Sequence, residues 1–253
     1  MRVVIVMPAY NSSRTLELTV RHIPKGVAEE IILGDDGSTD GTAELAERLG
    51  LSVIRHERNR GYGANQKSLF DEALKRGADI VVLLHPDYQY DPEAIRPLIE
   101  PILKGEADVV LGSRMWGNAP REGGMPTWKI MANKFLTFVE NLAFRKRLSE
   151  YHTGLRAYSA RFLRAAPYHL NADGFVFDTQ ILVQAVALGF RIAEIPVRCR
   201  YFPEASSVGL WEGTKYGLGT LREVLRYLLH KAGILKSKLL ISPPRCPCEE
   251  QQR

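Results

Sequence analysis

Five short apolar runs, each ending in a polar loop, punctuate the first half of this chain: Val3 to Met7, Glu30 to Leu33, Ser52 to His56, Ile80 to Leu84 and Asp108 to Leu111. Their length and β-branched content predict buried strands. Between them lie Thr15 to Ile23, Gly41 to Leu49, Gly63 to Arg76 and Pro92 to Leu103, all of helical length. Strand and helix alternating in this way require crossover connections, and hence a mostly parallel central sheet with helices on both faces. The predicted class is α/β. In such sheets the ligand-binding loops gather at the carboxyl ends of the strands, so the residues just past each run are the candidates for a site.

The rhythm changes beyond Arg114. Gly117 to Pro126 is a Gly/Pro-rich loop, and Trp128 to Arg147 then reads as an amphipathic helix, with Met131, Phe135, Phe138 and Leu142 in one stripe and Lys129, Asn133, Thr137 and Asn141 off it. The stripe predicts a helix packed on the sheet or, with Arg145-Lys146-Arg147 at its end, one lying on a membrane interface. Strands at Gly154 to Tyr158 and Arg191 to Arg198 and helices at Ala160 to Ala165 and Phe177 to Ala187 follow. A final amphipathic helix runs from Trp211 to Lys231, with Leu218, Leu221, Leu225 and Leu228 on one face, and residues 243–253 are expected to be disordered.

No stretch approaches the roughly 18 to 20 apolar residues that span a bilayer. Val3 to Met7 is closed by Pro8 without a small-residue cleavage site, which fits a first strand rather than a signal peptide. Three cysteines, Cys199, Cys246 and Cys248, fit a reducing compartment. The expected location is the cytoplasm. The net charge of +5 is uneven: Arg114 to Arg147 holds seven Lys/Arg against two Glu, and Trp211 to Arg253 eight against four. Such basic regions suit nucleic acid, an anionic membrane surface or a phosphorylated substrate.

Four strand ends carry chemistry. Pro8-Ala9-Tyr10-Asn11 and Asp35-Asp36-Gly37-Ser38-Thr39-Asp40 offer oxygens for a base edge and a ribose, and Tyr10 a ring to lie against a ligand. Asp40 also suits a helix cap. The loop around Gly61 in Asn59 to Asn65 offers close backbone approach and a helix N-terminus that favours anions. At His85-Pro86-Asp87-Tyr88-Gln89, Asp87 can supply an oxygen to a divalent cation bridging two phosphates, with His85 or Gln89 beside it.

Together these segments resemble the inverting glycosyltransferases of family 2, over roughly residues 2 to 210. That family combines an early Pro-Ala-Tyr-Asn, an Asp-Asp-Gly-Ser-x-Asp turn and an Asp-x-Asp metal motif. The resemblance implies a GT-A-type fold over 1–210, with a nucleotide-binding half at 1–113 and an acceptor half at 114–210, followed by a C-terminal amphipathic extension at 211–242. It implies that Pro8, Ala9, Tyr10, Asn11, Asp35, Asp36, Ser38 and Gly61 contact the donor nucleotide. It also implies that Asp87 holds Mg²⁺ or Mn²⁺ with Gln89 nearby, His85 standing where the first Asp of the motif is expected.

The second half is similar to the branch that glycosylates polyprenyl phosphates. The matching segments are Gly112-Ser113-Arg114, Thr153-Gly154-Leu155-Arg156-Ala157-Tyr158, and Glu194-Ile195-Pro196-Val197 followed by Arg198, Arg200 and Ser206-Ser207. On that likeness Arg114, Lys129, Arg156 and Arg200 are the expected acceptor contacts, arginine forks suiting phosphate oxygens. Asp178 stands near the place of the catalytic carboxylate in hydroxyl-accepting members. A hydroxyl acceptor needs such a base, whereas a phosphate is already ionised. As a residue near a helix start, Asp178 equally suits a dipole-stabilising role.

The resulting expectation is single-displacement transfer of a hexose from a UDP- or GDP-sugar to a polyprenyl phosphate, with a glycan or small-molecule hydroxyl as the alternative acceptor and peripheral attachment to the cytoplasmic membrane face as a corollary. A nucleotidyltransferase fits less well, since Tyr10-Asn11-Ser12-Ser13 is no Gly-rich basic loop. A nucleic-acid binder would not carry acidic strand ends, so no nucleic-acid partner is expected.

Overall fold

The computed structural model describes residues 1–117, 119–201 and 209–241, so Ser206, Ser207, Cys246, Cys248 and the expected disordered tail lie outside the described residues. The first half follows the predicted alternation: β1 (Val3–Ala9), α1 (Ser13–Arg21), β2 (Glu30–Asp35), α2 (Thr42–Arg48), β3 (Ser52–Arg55), α3 (Tyr62–Lys75) and β4 (Ile80–Leu83). A short 3-10 turn at Pro92–Ala94 leads into α4 (Ile95–Leu103) and β5 (Val109–Ser113). Then come α5 (Ala119–Glu122), α6 (Thr127–Phe144), β6 (Arg156–Ser159), α7 (Ala160–Ala165), α8 (Phe177–Ala187), β7 (Ile192–Pro196) and α9 (Leu210–Lys231).

The strands form one sheet in the order β3-β2-β1-β4-β6-β5-β7. Every pairing is parallel except those of β6, which runs antiparallel to both β4 and β5. β1 lies between β2 and β4, so the winding direction reverses there, the place at which sheets of this kind bind ligands beyond the strands' carboxyl ends. In-register pairs Ala9 with Asp35 and Asp35 with Arg55 bring the loops after β1, β2 and β3 to one edge.

Alternating strand residues feed two cores, one per sheet face, as a period of two requires. Ile5, Met7, Leu33 and Val82 pack against Leu16 of α1 and Leu98 and Ile102 of α4. Val4, Val6, Ile32 and Val81 pack against Leu69 and Phe70 of α3, Ile181 of α8 and Tyr227 of α9. β1, β4 and β5 are buried along their whole length and β2 along most of it, which is why these segments read as continuous apolar runs instead of alternating ones, whereas the edge strands β3 and β7 are only partly buried.

The amphipathic helix α6 reverses its expected packing on the sheet. Met131, Phe135, Phe138 and Leu142 are 64, 59, 66 and 73% exposed, while Asn133, Thr137 and Glu140 are buried. The buried polar groups have local partners: Asn133 Nδ2 donates to Glu150 Oε1 at 2.8 Å, and Thr137 Oγ1 donates to Asn133 Oδ1 at 3.2 Å. His152 Nε2 lies 3.0 Å from Glu140 Oε2, and neither atom has a hydrogen-bond partner among the described residues. Periodicity locates a stripe but not the direction in which it points, and here the polar side chains of Asn133, Thr137 and Glu140 take the inner side. α9 behaves alike: Leu218 and Leu225 are exposed, whereas Thr220, Glu223, Val224 and Tyr227 are buried. Among the described residues, no helix is long and apolar enough to cross a membrane.

Candidate active site

The loops after β1 and β2 are knitted together before any ligand arrives. Asn11, in the left-handed region at φ 51°, donates its N–H to Ser38 Oγ at 2.8 Å and accepts from Thr39 N–H at 2.9 Å through Oδ1. Asp35 is buried; Oδ2 accepts weakly from Ser38 N–H at 3.3 Å, and Oδ1 has no hydrogen-bond partner among the described residues. A buried carboxylate oxygen without a donor is costly, and this one lies on the edge where the strand ends meet. Tyr10 is exposed beside it.

Asp36 is differently occupied. Its carboxylate accepts from the N–H groups of Arg60 at 3.0 Å and Gly61 at 2.9 Å and sits 2.8 Å from His56 Nδ1. It anchors the glycine loop to β2, so the expectation of a direct donor contact through this side chain does not hold in this arrangement. The expectation for Gly61 changes too. At φ +100° its missing Cβ would lie 2.6 Å from the carbonyl of Asp173, and that carbonyl already accepts from the N–H of Gly63 at 2.6 Å. The close backbone approach is made by the chain's own 172–173 segment, which caps the start of α3.

Beyond β4, the Asp87 carboxylate accepts the Gln89 N–H at 3.0 Å through Oδ1, closing a turn in which Tyr88 takes φ 55°. His85, Asp87 and Gln89 line one cavity of about 500 Å³. His85 belongs to a buried chain of polar groups. Tyr62 Oη lies 3.0 Å from both His85 Nε2 and Asp178 Oδ2, Gln66 Nε2 donates to Asp178 Oδ1 at 3.0 Å, and Arg156 Nη2 is 3.5 Å from Asp178 Oδ2. Burial, reinforced by the charge of Asp178, pushes the Tyr62 phenol well above its usual value, so it stays a neutral donor. Its one hydrogen goes to the carboxylate, and His85 therefore donates to it through Nε2, leaving Nδ1 as the lone-pair nitrogen. Burial lowers the basicity of His85 against the opposing charges of Asp87 and Asp178. The ring lies under Gly154, where an added Cβ would come within 2.9 Å of it.

Arg156 is fully buried and cannot reach a substrate, contrary to expectation. Nε donates to Thr153 O at 2.7 Å and Nη1 to Asp178 O at 3.0 Å. Its role is to fix Asp178 from beneath. Arg114 lines the cavity but is not a free fork. Nε donates to Glu150 Oε1 at 3.0 Å, Nη2 to Glu150 Oε1 and to His152 O at 2.6 Å, and Nη1 to Tyr201 Oη at 2.9 Å. Burial works against its charge, but Glu150 outweighs that and holds the guanidinium well above its ordinary value. Lys129 also lines the cavity, its Nζ 5.9 Å from the Tyr201 ring; burial and then Arg114 lower its pKa. Arg200 stacks 4.8 Å over Tyr88 and donates to Asp91 Oδ2 at 3.2 Å, beside the Asp87 turn and outside the cavity lining.

No three His, Cys, Asp or Glu side chains converge as a metal cage among the described residues. One carboxylate and one imidazole nitrogen still suit a hard divalent cation that draws its other ligands from a diphosphate and water. The Tyr62, Gln66, Glu150 and His56 partners escaped sequence reading. Tyr62 had a signal, lying between Gly61 and Gly63 before a helix; Glu150 had none, since 36 residues separate it from Arg114.

The model for Glycosyl transferase family 2 matches residues 4–165. The chain is 27% identical over 247 residues to the UDP-N-acetylglucosamine--dolichyl-phosphate N-acetylglucosaminyltransferase of Methanococcus voltae, covering 90% of this chain and 96% of that one. It is 30% identical over 208 residues to the undecaprenyl-phosphate mannosyltransferase of Micrococcus luteus, covering 78% and 83%. Glucosyl-3-phosphoglycerate synthase of Mycobacterium tuberculosis, solved with Mn²⁺, uridine diphosphate and phosphoglyceric acid, shares the fold at a TM-score of 0.69 and 24% identity, over 93% of this chain and 80% of that one.

Proposed function

Because the chain belongs to glycosyl transferase family 2 and is a glycosyltransferase of the GT-A-type fold, we propose that it transfers a hexose from a nucleoside-diphosphate sugar, UDP- or GDP-linked, to a polyprenyl phosphate with inversion. One observation carries the choice of acceptor. The cavity lined by Asp87, His85 and Lys129 is also walled by Trp128, Phe135 and Leu136 of α6 and by Leu218 and Leu221 of α9. A cavity that joins charged groups suited to a phosphate with apolar walls suits an amphiphile better than a glycan. The named relatives that use dolichyl and undecaprenyl phosphate support the same reading.

In this mechanism Asp35 Oδ1 takes a hydrogen-bond donor from the base or ribose, and Tyr10 lies against the nucleoside. Asp87, with Nδ1 of His85 as the second protein donor, would hold Mg²⁺ or Mn²⁺, which when bound neutralises the charge growing on the departing diphosphate. The M. tuberculosis enzyme solved with Mn²⁺ and uridine diphosphate makes such a cation reasonable here. Arg114, locked by Glu150, and Lys129 set a positive field for the acceptor phosphate. Its oxygen attacks the anomeric carbon already ionised, so no residue has to take a proton. Asp178, bound to Tyr62, Gln66 and Arg156, is a positioning residue.

Purified protein is tested with each radiolabelled donor against undecaprenyl phosphate and against glycan acceptors. The expected product is sugar in the lipid phase, and Asp178→Asn is expected to remain within about tenfold of wild type, well short of the 10²- to 10⁴-fold attributed to a general base. Transfer only to a hydroxyl acceptor, abolished in a folded Asp178→Asn protein, overturns the lipid-phosphate reading.

A further inference from the structure

α6 and α9 present the opposite of what a water-facing surface requires. Met131, Phe138 and Leu142 on α6 and Leu225 on α9 point outward, and Phe135 and Leu218 are both exposed and part of the cavity wall, so the two outward stripes meet at the cavity rim. Trp128 and Trp211, in the first turns of the two helices, are exposed as well. A contiguous apolar surface of this kind marks an interaction site on a protein that otherwise buries its core well.

The charges around it are of one sign. The acids of the two helices are Glu140, Glu212 and Glu223; Glu140 and Glu223 are buried, and Glu212 carries Lys215 at 3.1 Å. Exposed cations flank the stripes: Lys134, Arg145 and Arg147 with α6, and Arg222, Lys231 and Lys236 with α9. Two such faces from two copies of the chain would bring like charges together in a symmetric contact. An apolar plane edged with anions has neither problem.

We infer that the α6–α9 face docks on the surface of an anionic lipid bilayer, its apolar stripes inserted among the acyl chains and its cations on the headgroups. Exposed tryptophans at the ends of the helices suit the headgroup level. Docking in this orientation turns the cavity mouth towards the lipid, so an amphiphilic substrate enters without leaving the membrane. The docking itself goes beyond the proposed reaction and requires neither donor nor acceptor.

The test is co-flotation of the purified full chain with phosphatidylcholine vesicles containing or lacking phosphatidylglycerol, with no polyprenyl phosphate or sugar nucleotide present. A wrong acceptor assignment therefore leaves the result unchanged. Wild type is expected to bind the anionic vesicles on the order of tenfold or more tighter than the neutral ones, with binding weakened by salt. Its tryptophan emission is expected to shift to the blue and to be quenched by brominated lipid. The triple variant Phe138→Ser, Leu142→Ser, Leu225→Ser, whose sites are exposed and outside the cavity, is expected to keep its melting temperature and lose that binding by about tenfold or more. Failure of wild type to bind anionic vesicles overturns the inference, as does undiminished binding by the folded triple variant. Self-association that the variant abolishes, in a wild type that ignores vesicles, assigns the face to a second copy instead.

Discussion

Replacing Asp87 with alanine is expected to lower kcat/KM for sugar transfer by about 10²- to 10³-fold while leaving the protein folded. The carboxylate does two things that can be separated. It closes the turn by accepting the Gln89 N–H at 3.0 Å, and it brings a negative charge to the cavity between His85 and Gln89. Asparagine retains an oxygen for the turn and loses the charge. If the charge holds a cation against the diphosphate, Asp87→Asn falls nearly as far as Asp87→Ala, and both lose the rise in melting temperature that a donor nucleotide gives with Mn²⁺. Near-normal transfer by the asparagine variant would reduce Asp87 to a turn-forming residue and leave the diphosphate without its proposed partner.

The second large effect concerns stability. Glu150 is completely buried, accepts from the backbone N–H of Arg114 at 2.7 Å and from Asn133 Nδ2 at 2.8 Å, and holds the Arg114 guanidinium. Removing it in Glu150→Ala leaves a buried cation whose main counter-charge is gone, which typically costs about 3–5 kcal/mol. For a chain of this size that corresponds to a fall in Tm of roughly 10 °C, read by thermal or urea unfolding. Burial alone would raise the Glu150 carboxyl, but the charge and hydrogen bonds of Arg114 outweigh it and hold the group below its ordinary value. A depressed carboxylate contributes stability above its unfolded value of about 4.3 and loses it as pH falls through the folded value. Wild type is therefore expected to lose stability below that point more steeply than Glu150→Gln. A cost under about 1 kcal/mol for the alanine variant would mean that water reaches Arg114 and takes over the role of Glu150.

The sequence was most informative where strands are buried on both faces. Val3–Ala9, Glu30–Asp35 and Ile80–Leu83 stand where apolar runs placed them, and Phe177–Ala187 and Ala160–Ala165 match to the residue. The edge bearing Asp35 and Asp87 was legible for the same reason, since strand ends in a parallel sheet share one side. What a side chain faces was not legible. Arg156 sits in a recognisable segment, yet β6 turns it inward to bind Asp178 O, so a motif position did not translate into a ligand contact. Asp36 reads as a second donor contact but holds Gly61 N–H at 2.9 Å. The α6 stripe was identified and its direction was not, because direction depends on partners such as Glu150 and His152 that lie outside the helix and follow no period.

The position of β6 bears on how the chain can be assembled. Residues 109–113 complete the first half of the sequence, but no strand of that half lies beside β5: its neighbours are β6, made of residues 156–159, and β7, made of residues 192–196. As the chain leaves the ribosome, the Val109-Val110-Leu111 segment waits unpaired until the residues of β6, Arg156–Ser159, have been synthesised. A fragment ending at Ser113 is therefore not a self-sufficient nucleotide-binding unit but a sheet with an unclosed apolar edge, open to pairing with other nascent chains. The antiparallel insertion that completes the sheet also makes its two halves inseparable, and any attempt to graft the donor-binding half onto another acceptor module has to carry β6 along.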